Sequence, residues 1–379
     1  MRVEIQDPEA LRTIPPASVL AHLRASGWEE AEVWPDRAVV LEKAEAGQRW
    51  EAVVPIKTTA PGYARNIFQV VEVLAMLEDR SQLDVFRTLA SVGADTIRIS
   101  ARNGVEGKPV SLTYANGLMA GAVSALAAAA RAAETPRPAF LGPRSAKVTD
   151  FIDHIAVAPS DFDTYELTLL SPVPDPPAQA ELFPDSHDLP FSRLATRTLA
   201  GALDATHAAI AKAHETDALD SFDAAMSAGV SANFCSAVSA MSDQAREFGD
   251  GLVADIAWSA LHPIHRSPNA HVSFSLRDVQ TLDDASKHLR SRATFENEHI
   301  LADVFRLTRD PAEFDGHAVL LVELDERLRR VEVMFPSSEY DTVIDAHRRQ
   351  VKIELHGDLK PKGRGYVLGH PRNLKIVDE

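Results

Sequence analysis

Two aspartates one residue apart, Asp161 and Asp163, stand just ahead of Thr164 to Ser171, a run that alternates like a strand. Residues i and i+2 of a strand share a face, and two carboxylates on one face can hold magnesium or exchange protons with a substrate. A nuclease uses such a pair to hold the metal that activates water. Ser160-Asp-Phe-Asp163 is also what a turn looks like when Asp side chains bond nearby backbone N–H groups, and this is the preferred reading. His262-Pro-Ile-His265, with His271 nearby, offers imidazoles to a metal. A catalytic zinc needs a third protein ligand and an open position, and Pro263 keeps a regular helix from presenting both rings together. Asp161, Asp163, His262, His265 and His271 are therefore the candidates of a second reading, a metal-dependent hydrolase of nuclease type. The first reading has no metal, no cofactor and no catalytic residue.

Cys235 is the single cysteine, which excludes an intrachain disulfide and a Cys-based zinc site. A thiolate nucleophile needs an activating base or cation, whereas Phe234 and Val238 place Cys235 on an apolar helical stripe, where a thiol packs as a small hydrophobe. No phosphate-binding P-loop, dinucleotide fingerprint or Gly-x-Ser-x-Gly elbow occurs. Gly104-Val-Glu-Gly-Lys108 lacks the length and the hydroxyl of a P-loop and reads as a turn. Pro35-Asp36 with Glu42-Lys43 only loosely matches the acidic pair and lysine of a metal nuclease, because its spacing is short.

Charge has the strongest contrast along the chain. Between Ala346 and Lys375 there are eight Lys or Arg against two acids, Glu354 and Asp358, in a protein whose net charge is −16. The acidic balance repels nucleic acid and anionic membrane over most of the surface, so any polyanion contact must be local. Arg348, Arg349, Lys352, Lys360, Lys362, Arg364 and Arg372 are the expected binding residues, for a protein partner or for single-stranded nucleic acid. Basic grooves that hold single strands also stack bases on aromatic rings, and Tyr366, His356 and His370 are the rings within reach.

The elements that must position these groups follow from periodicity. At 379 residues, with 45% hydrophobic and 25% charged residues, the chain is a soluble globular type with room for two or three domains. The expected class is α+β and multi-domain. An α/β N-terminal domain spans 1–134: a helix from Pro16, a hairpin over Arg37–Lys43 and Trp50–Ile56, two helices, strands Asp95–Ser100 and Pro109–Tyr114, and an alanine-rich helix. The alanine-rich run Leu118–Ala133 falls short of the roughly 20 residues that span a bilayer, so no membrane contact is expected. Residues 135–146, rich in proline, form a linker. A middle domain, 147–298, pairs strands Ile152–Ala158 and Thr164–Ser171. After the proline-rich connection Pro172–Pro190 it folds a long helical hairpin, with a kink at Gly229.

From residue 299 the texture changes to five short strand candidates with one helix, Ser337–His347, between the third and fourth. That element order predicts an OB-like β-barrel over 299–379. One cysteine and an N-terminus without an apolar leader core point to the cytoplasm. Together these features predict a non-catalytic accessory or adaptor protein of a cytoplasmic complex, with a purely structural scaffold as a further alternative.

Overall fold

The computed structural model describes residues 5, 7–45, 47–104, 109–158, 166–174, 189–261, 271–310, 314–324, 327–362 and 365–377. Among these the chain forms helices α1 (Pro8–Arg12) and α2 (Pro16–Ala25), strands β1 (Glu29–Trp34), β2 (Ala38–Glu45) and β3 (Gln48–Pro55), and helices α3 (Tyr63–Leu77) and α4 (Gln82–Ser91). There follow β4 (Ala94–Ala101), α5 (Leu112–Glu134), α6 (Ala146–Asp153), β5 (Ala156–Val157), β6 (Glu166–Pro172) and α7 (Phe191–Thr216). Next come α8 (Asp220–Ala225), α9 (Ala232–Gln244), β7 (Gly251–Ala257), β8 (His271–Ser275) and α10 (Asp278–Arg292). The chain closes with β9 (Phe295–Thr308), β10 (Gly316–Leu324), β11 (Arg327–Phe335), α11 (Ser337–Arg349), β12 (Lys352–Lys362) and β13 (Gly365–Val377). The class is α+β with three sheets, and the chain divides into two compact units that interleave along the sequence.

The first unit comprises Met1–Ser111, His154–Ala200 and Phe248–Ser273. Its opening part is an antiparallel meander, β1-β2-β3, whose inner face meets α3. Leu41 and Val54 from the strands and Ile67, Val71 and Leu74 from α3 are fully or almost fully buried there, the helical set recurring at the spacing that puts one stripe on the core. The Tyr63 hydroxyl donates to the Ile14 carbonyl at 2.5 Å, joining α3 to the chain between α1 and α2. β1 is exposed along its whole length and does not stand out in the sequence, because Glu-Glu-Ala-Glu carries no apolar alternation; its order comes from pairing with β2. The second sheet has the order β5-β6-β4-β7-β8, with β4 central.

The second unit comprises Leu112–Asp153, Gly201–Glu247 and Phe274–Glu379. The expected strand Pro109–Tyr114 does not form. Tyr114 is instead the first buried residue of α5, followed by Leu118, Gly121, Ala122 and Ala125 at helical spacing, and this 23-residue period outweighs the short alternation before it. α5 is thus longer than its apolar core suggests, long and apolar enough by length and composition to cross a membrane, and half of that stretch is buried inside the protein. Residues 135–146, expected as linker, fall within this unit, with Ala139, Phe140 and Leu141 buried and Ala146 opening α6.

The expected second helix of the hairpin is interrupted. Gly229 takes φ 104°, a left-handed conformation that suits glycine, and α9 starts afresh where the Ser231 hydroxyl accepts the Phe234 N–H. α9 packs mainly between α5 and α10. The expected strand Ile152–Ala158 likewise begins inside the last turn of α6, and only Ala156–Val157 is extended.

The C-terminal strands form one sheet that closes on itself, in the order β10-β11-β13-β12-β9 with β9 returning to β10. All pairs are antiparallel except β11 with β13. Inward residues Leu320, Val322, Val331, Val333, Ile353 and Leu355 fill the interior. α11 covers one end with Tyr340, Val343 and Ala346, and a Cβ on Gly316 would stand 2.1 Å from the Tyr340 ring.

Candidate nucleic-acid interface

The outer face of the closed sheet is built by β9, β10 and β11, with the β12–β13 hairpin at its side. In β11 the residues facing outward are Leu328, Arg330, Glu332 and Met334, alternating with the buried Val331, Val333 and Phe335. Phe305 of β9 is 48% exposed on this face. The Arg330 guanidinium lies 5.0 Å from the centre of the Phe305 ring, within cation–π range. Tyr366 completes the ring set, placed beside β11 by the parallel register of Val331 with Tyr366. Gly365 permits that approach, since a Cβ there would come 2.6 Å from the Arg330 carbonyl oxygen.

A shallow depression of about 410 Å3 runs through these residues, bordered by the cations Arg306, Arg329, Arg330 and Lys362 and by one acid, Glu332. Lys362 reaches Glu332 at 2.7 Å, and its hydrogen bond holds that carboxyl below the usual carboxylate range. Arg330 forms no ion pair among the described residues.

The expected basic run is distributed differently. Arg348 and Arg349 of α11 turn back to Asp345 at 2.7 and 3.6 Å. Lys352 pairs with Asp303 at 2.8 Å, and Arg372 with Asp358 at 3.3 Å. Lys360 is exposed and has no ion pair among the described residues, and Arg364 lies outside them. Of the expected rings, only Tyr366 borders the depression. His370 bonds Asp358 at 2.9 Å, and His356 tilts against His299 with ring centres 5.1 Å apart. Asp358 is held below its ordinary value chiefly by the Asn297 N–H and then by His370. A window count along the sequence could not register Asp303, Glu332 and Asp345, because cross-strand and helical neighbours supply them.

Phe305 and the Arg327-Leu-Arg-Arg330 run are what the sequence reading passed over. Their signal was an aromatic ring beside Arg306 on the polar phase of a strand, and a basic tetrapeptide masked in any charge count by Glu323, Asp325, Glu326 and Glu332.

Of the metal candidates, Asp161, Asp163, His262 and His265 lie outside the described residues, as does the Gly104–Lys108 turn beyond Gly104. His271 sits at the start of β8 with Nδ1 2.5 Å from the Asp255 carboxylate. Asp220, Asp223 and His288 lie close enough together to surround a cation. Arg292 already occupies that position with a nitrogen 2.6 Å from Asp223, so the cluster is an ion-pair network. Cys235 is buried in α9, and burial pushes its thiol up to about 12, the opposite of an activated nucleophile.

One charged pair is enclosed in the first unit. Asp95 of β4 accepts the Ser259 N–H at 2.9 Å, and Arg193 of α7 approaches it at 3.2 Å with its guanidinium over the Trp258 ring at 5.6 Å. The side chains are 0% and 2% exposed, and burial raises the Asp95 pKa and lowers that of Arg193. No family model, curated protein or solved structure matches this chain. Its surface chemistry alone carries the functional reading.

Proposed function

We propose that the protein is a non-catalytic accessory component of a cytoplasmic complex, without a membrane contact, and that its closed C-terminal sheet is an OB-like barrel holding single-stranded nucleic acid. Counted from β9, the sheet runs first, second, third, fifth, fourth and back to first, with a helix between third and fourth. OB barrels bind oligonucleotides across strands two and three, between the one–two and four–five loops. The corresponding parts here are β10 and β11 and the β12–β13 hairpin, whose described residues include Lys360 and Lys362. The observation that carries the reading is the outward Phe305 ring with Arg330 stacked on it, beside Tyr366. Bases stack on such rings whatever their identity, while the cations track phosphate. An acidic protein partner would use the same cations and have no need of the rings.

The test is titration of a labelled single-stranded oligonucleotide at several salt concentrations. Phe305→Ala should weaken binding by roughly 5- to 150-fold, the worth of about 1–3 kcal/mol per stacked base. Lys362→Gln should flatten the slope of log affinity against log salt by about 0.7. If the wild type binds nothing at low salt, or Phe305→Ala binds equally well, the acidic-partner reading replaces this one.

A further inference from the structure

A larger groove of about 1070 Å3 lies elsewhere in the second unit. Its floor is made of small side chains on α5 and α9, and the two helices approach so closely that a Cβ on Gly121 would lie 2.3 Å from Met241. Five arginines from four separate parts of the chain line it: Arg131 of α5, Arg144, Arg290 of α10, and Arg327 and Arg329 of β11. Glu323 is the single carboxylate among its described lining residues. None of the five belongs to the C-terminal basic run, and in a chain of net charge −16 this is a concentrated positive field.

The rim is held firmly. Asn233 donates to the Phe140 carbonyl at 3.0 Å and accepts the Phe140 N–H at 2.8 Å. These bonds fix the Phe140 backbone, and the Arg131 guanidinium lies over the Phe140 ring at 4.7 Å. The groove therefore combines a flat ring-and-guanidinium edge, an apolar floor that includes Ala237 and Ala240, and several planar guanidinium forks, whose geometry matches phosphate oxygens in bidentate fashion. Small-molecule sites measure about 300–1,000 Å3, so this groove suits a ligand at the large end of that range.

We infer that the groove is a binding site for a nucleoside polyphosphate, its phosphates held among Arg290, Arg327 and Arg329 and its ring system against the Arg131–Phe140 edge. The inference does not depend on the nucleic-acid reading of the outer face. Arg329 borders both surfaces, so a nucleotide in the groove and a strand on the face would share one cation.

Calorimetric titration of the full chain with ATP, GTP and inorganic triphosphate tests it. ATP or GTP should bind at least about tenfold more tightly than triphosphate, one lost set of ring contacts being worth that much. Arg327→Gln and Arg290→Gln should each weaken nucleotide binding about tenfold, as hydrogen bonds to charged groups do. Ala240→Trp fills the groove from an exposed helical position and should abolish binding while its thermal unfolding stays that of the wild type. The inference is overturned if no nucleotide binds up to about 1 mM, if triphosphate binds as tightly as ATP, or if a folded Ala240→Trp protein still binds. Phe305→Ala should leave nucleotide affinity unchanged, and loss of ATP binding in that variant would move the nucleotide to the outer face and remove it from the groove.

Discussion

Each of the two units sets an arginine over an aromatic ring beside a sheet, and they use the contact in opposite ways. Against the five-stranded sheet of the first unit, Arg193 of α7 lies over Trp258, just past β7, and against Asp95 of β4, closed off from solvent. In the closed sheet of the second, Arg330 lies over Phe305 on a face open to solvent. The contact geometry is similar, at 5.6 and 5.0 Å, so the geometry does not decide the role. What decides it is whether the protein itself supplies the anion. Asp95 is the counter-ion of Arg193, whereas Arg330 has an aromatic neighbour and no carboxylate partner among the described residues. A cation neutralised inside the fold is structural, and it is the proposed function that makes the one presented with a ring a recognition surface.

Removing the internal anion tests the enclosed half most severely. Asp95→Ala leaves a buried guanidinium without its charge partner, and the expected loss is about 3–5 kcal/mol, read as a lower denaturant midpoint. The paired change Asp95→Leu with Arg193→Met should recover most of it, because well-packed apolar residues often replace a buried ion pair without cost. A double variant as unstable as Asp95→Ala would mean that the charges do more than neutralise one another.

The second expectation concerns a buried group that is neutral. With the Cys235 thiol pushed up to about 12 from its ordinary 9.0, the native state keeps a proton that the unfolded chain gives up. Stability should therefore fall as pH rises above about 9, by roughly 1.4 kcal/mol at pH 10. Cys235→Ala should remove that alkaline component, and thiol reagents should label the native protein slowly at neutral pH. The smallest effect belongs to the displayed half: Lys362→Gln breaks an exposed ion pair and should change stability by less than about 1 kcal/mol, even where it alters the salt dependence of binding.

Much of the closed sheet was legible in the sequence. Five short alternating runs and the helix at Ser337 fall where the structure has them, because β10, the middle of β9 and the second half of β11 bury every second residue and period two survives on one solvated face. β1 was not legible, since a strand exposed along its length leaves no burial pattern. The α5 boundary was misread because Val110, Leu112 and Tyr114 also alternate, and only the longer helical period decides between the two. The candidate site was half legible. Tyr366 and Lys362 stand where the basic run put them, but Phe305 and Arg330 join them from separate strands, Phe305 at the irregularity in the β9–β10 pairing, and charge counted along the chain cannot see that.

The interleaving of the two units has a consequence for biosynthesis. β4 ends at Ala101, yet its two sheet partners, β6 and β7, leave the ribosome only after α5 and, for β7, after α9. The first unit therefore cannot be completed while the nascent chain is short, and its central strand must wait with both edges unpaired, the condition in which strands aggregate. The closed sheet is drawn from one continuous stretch at the end of the chain and can assemble soon after it emerges.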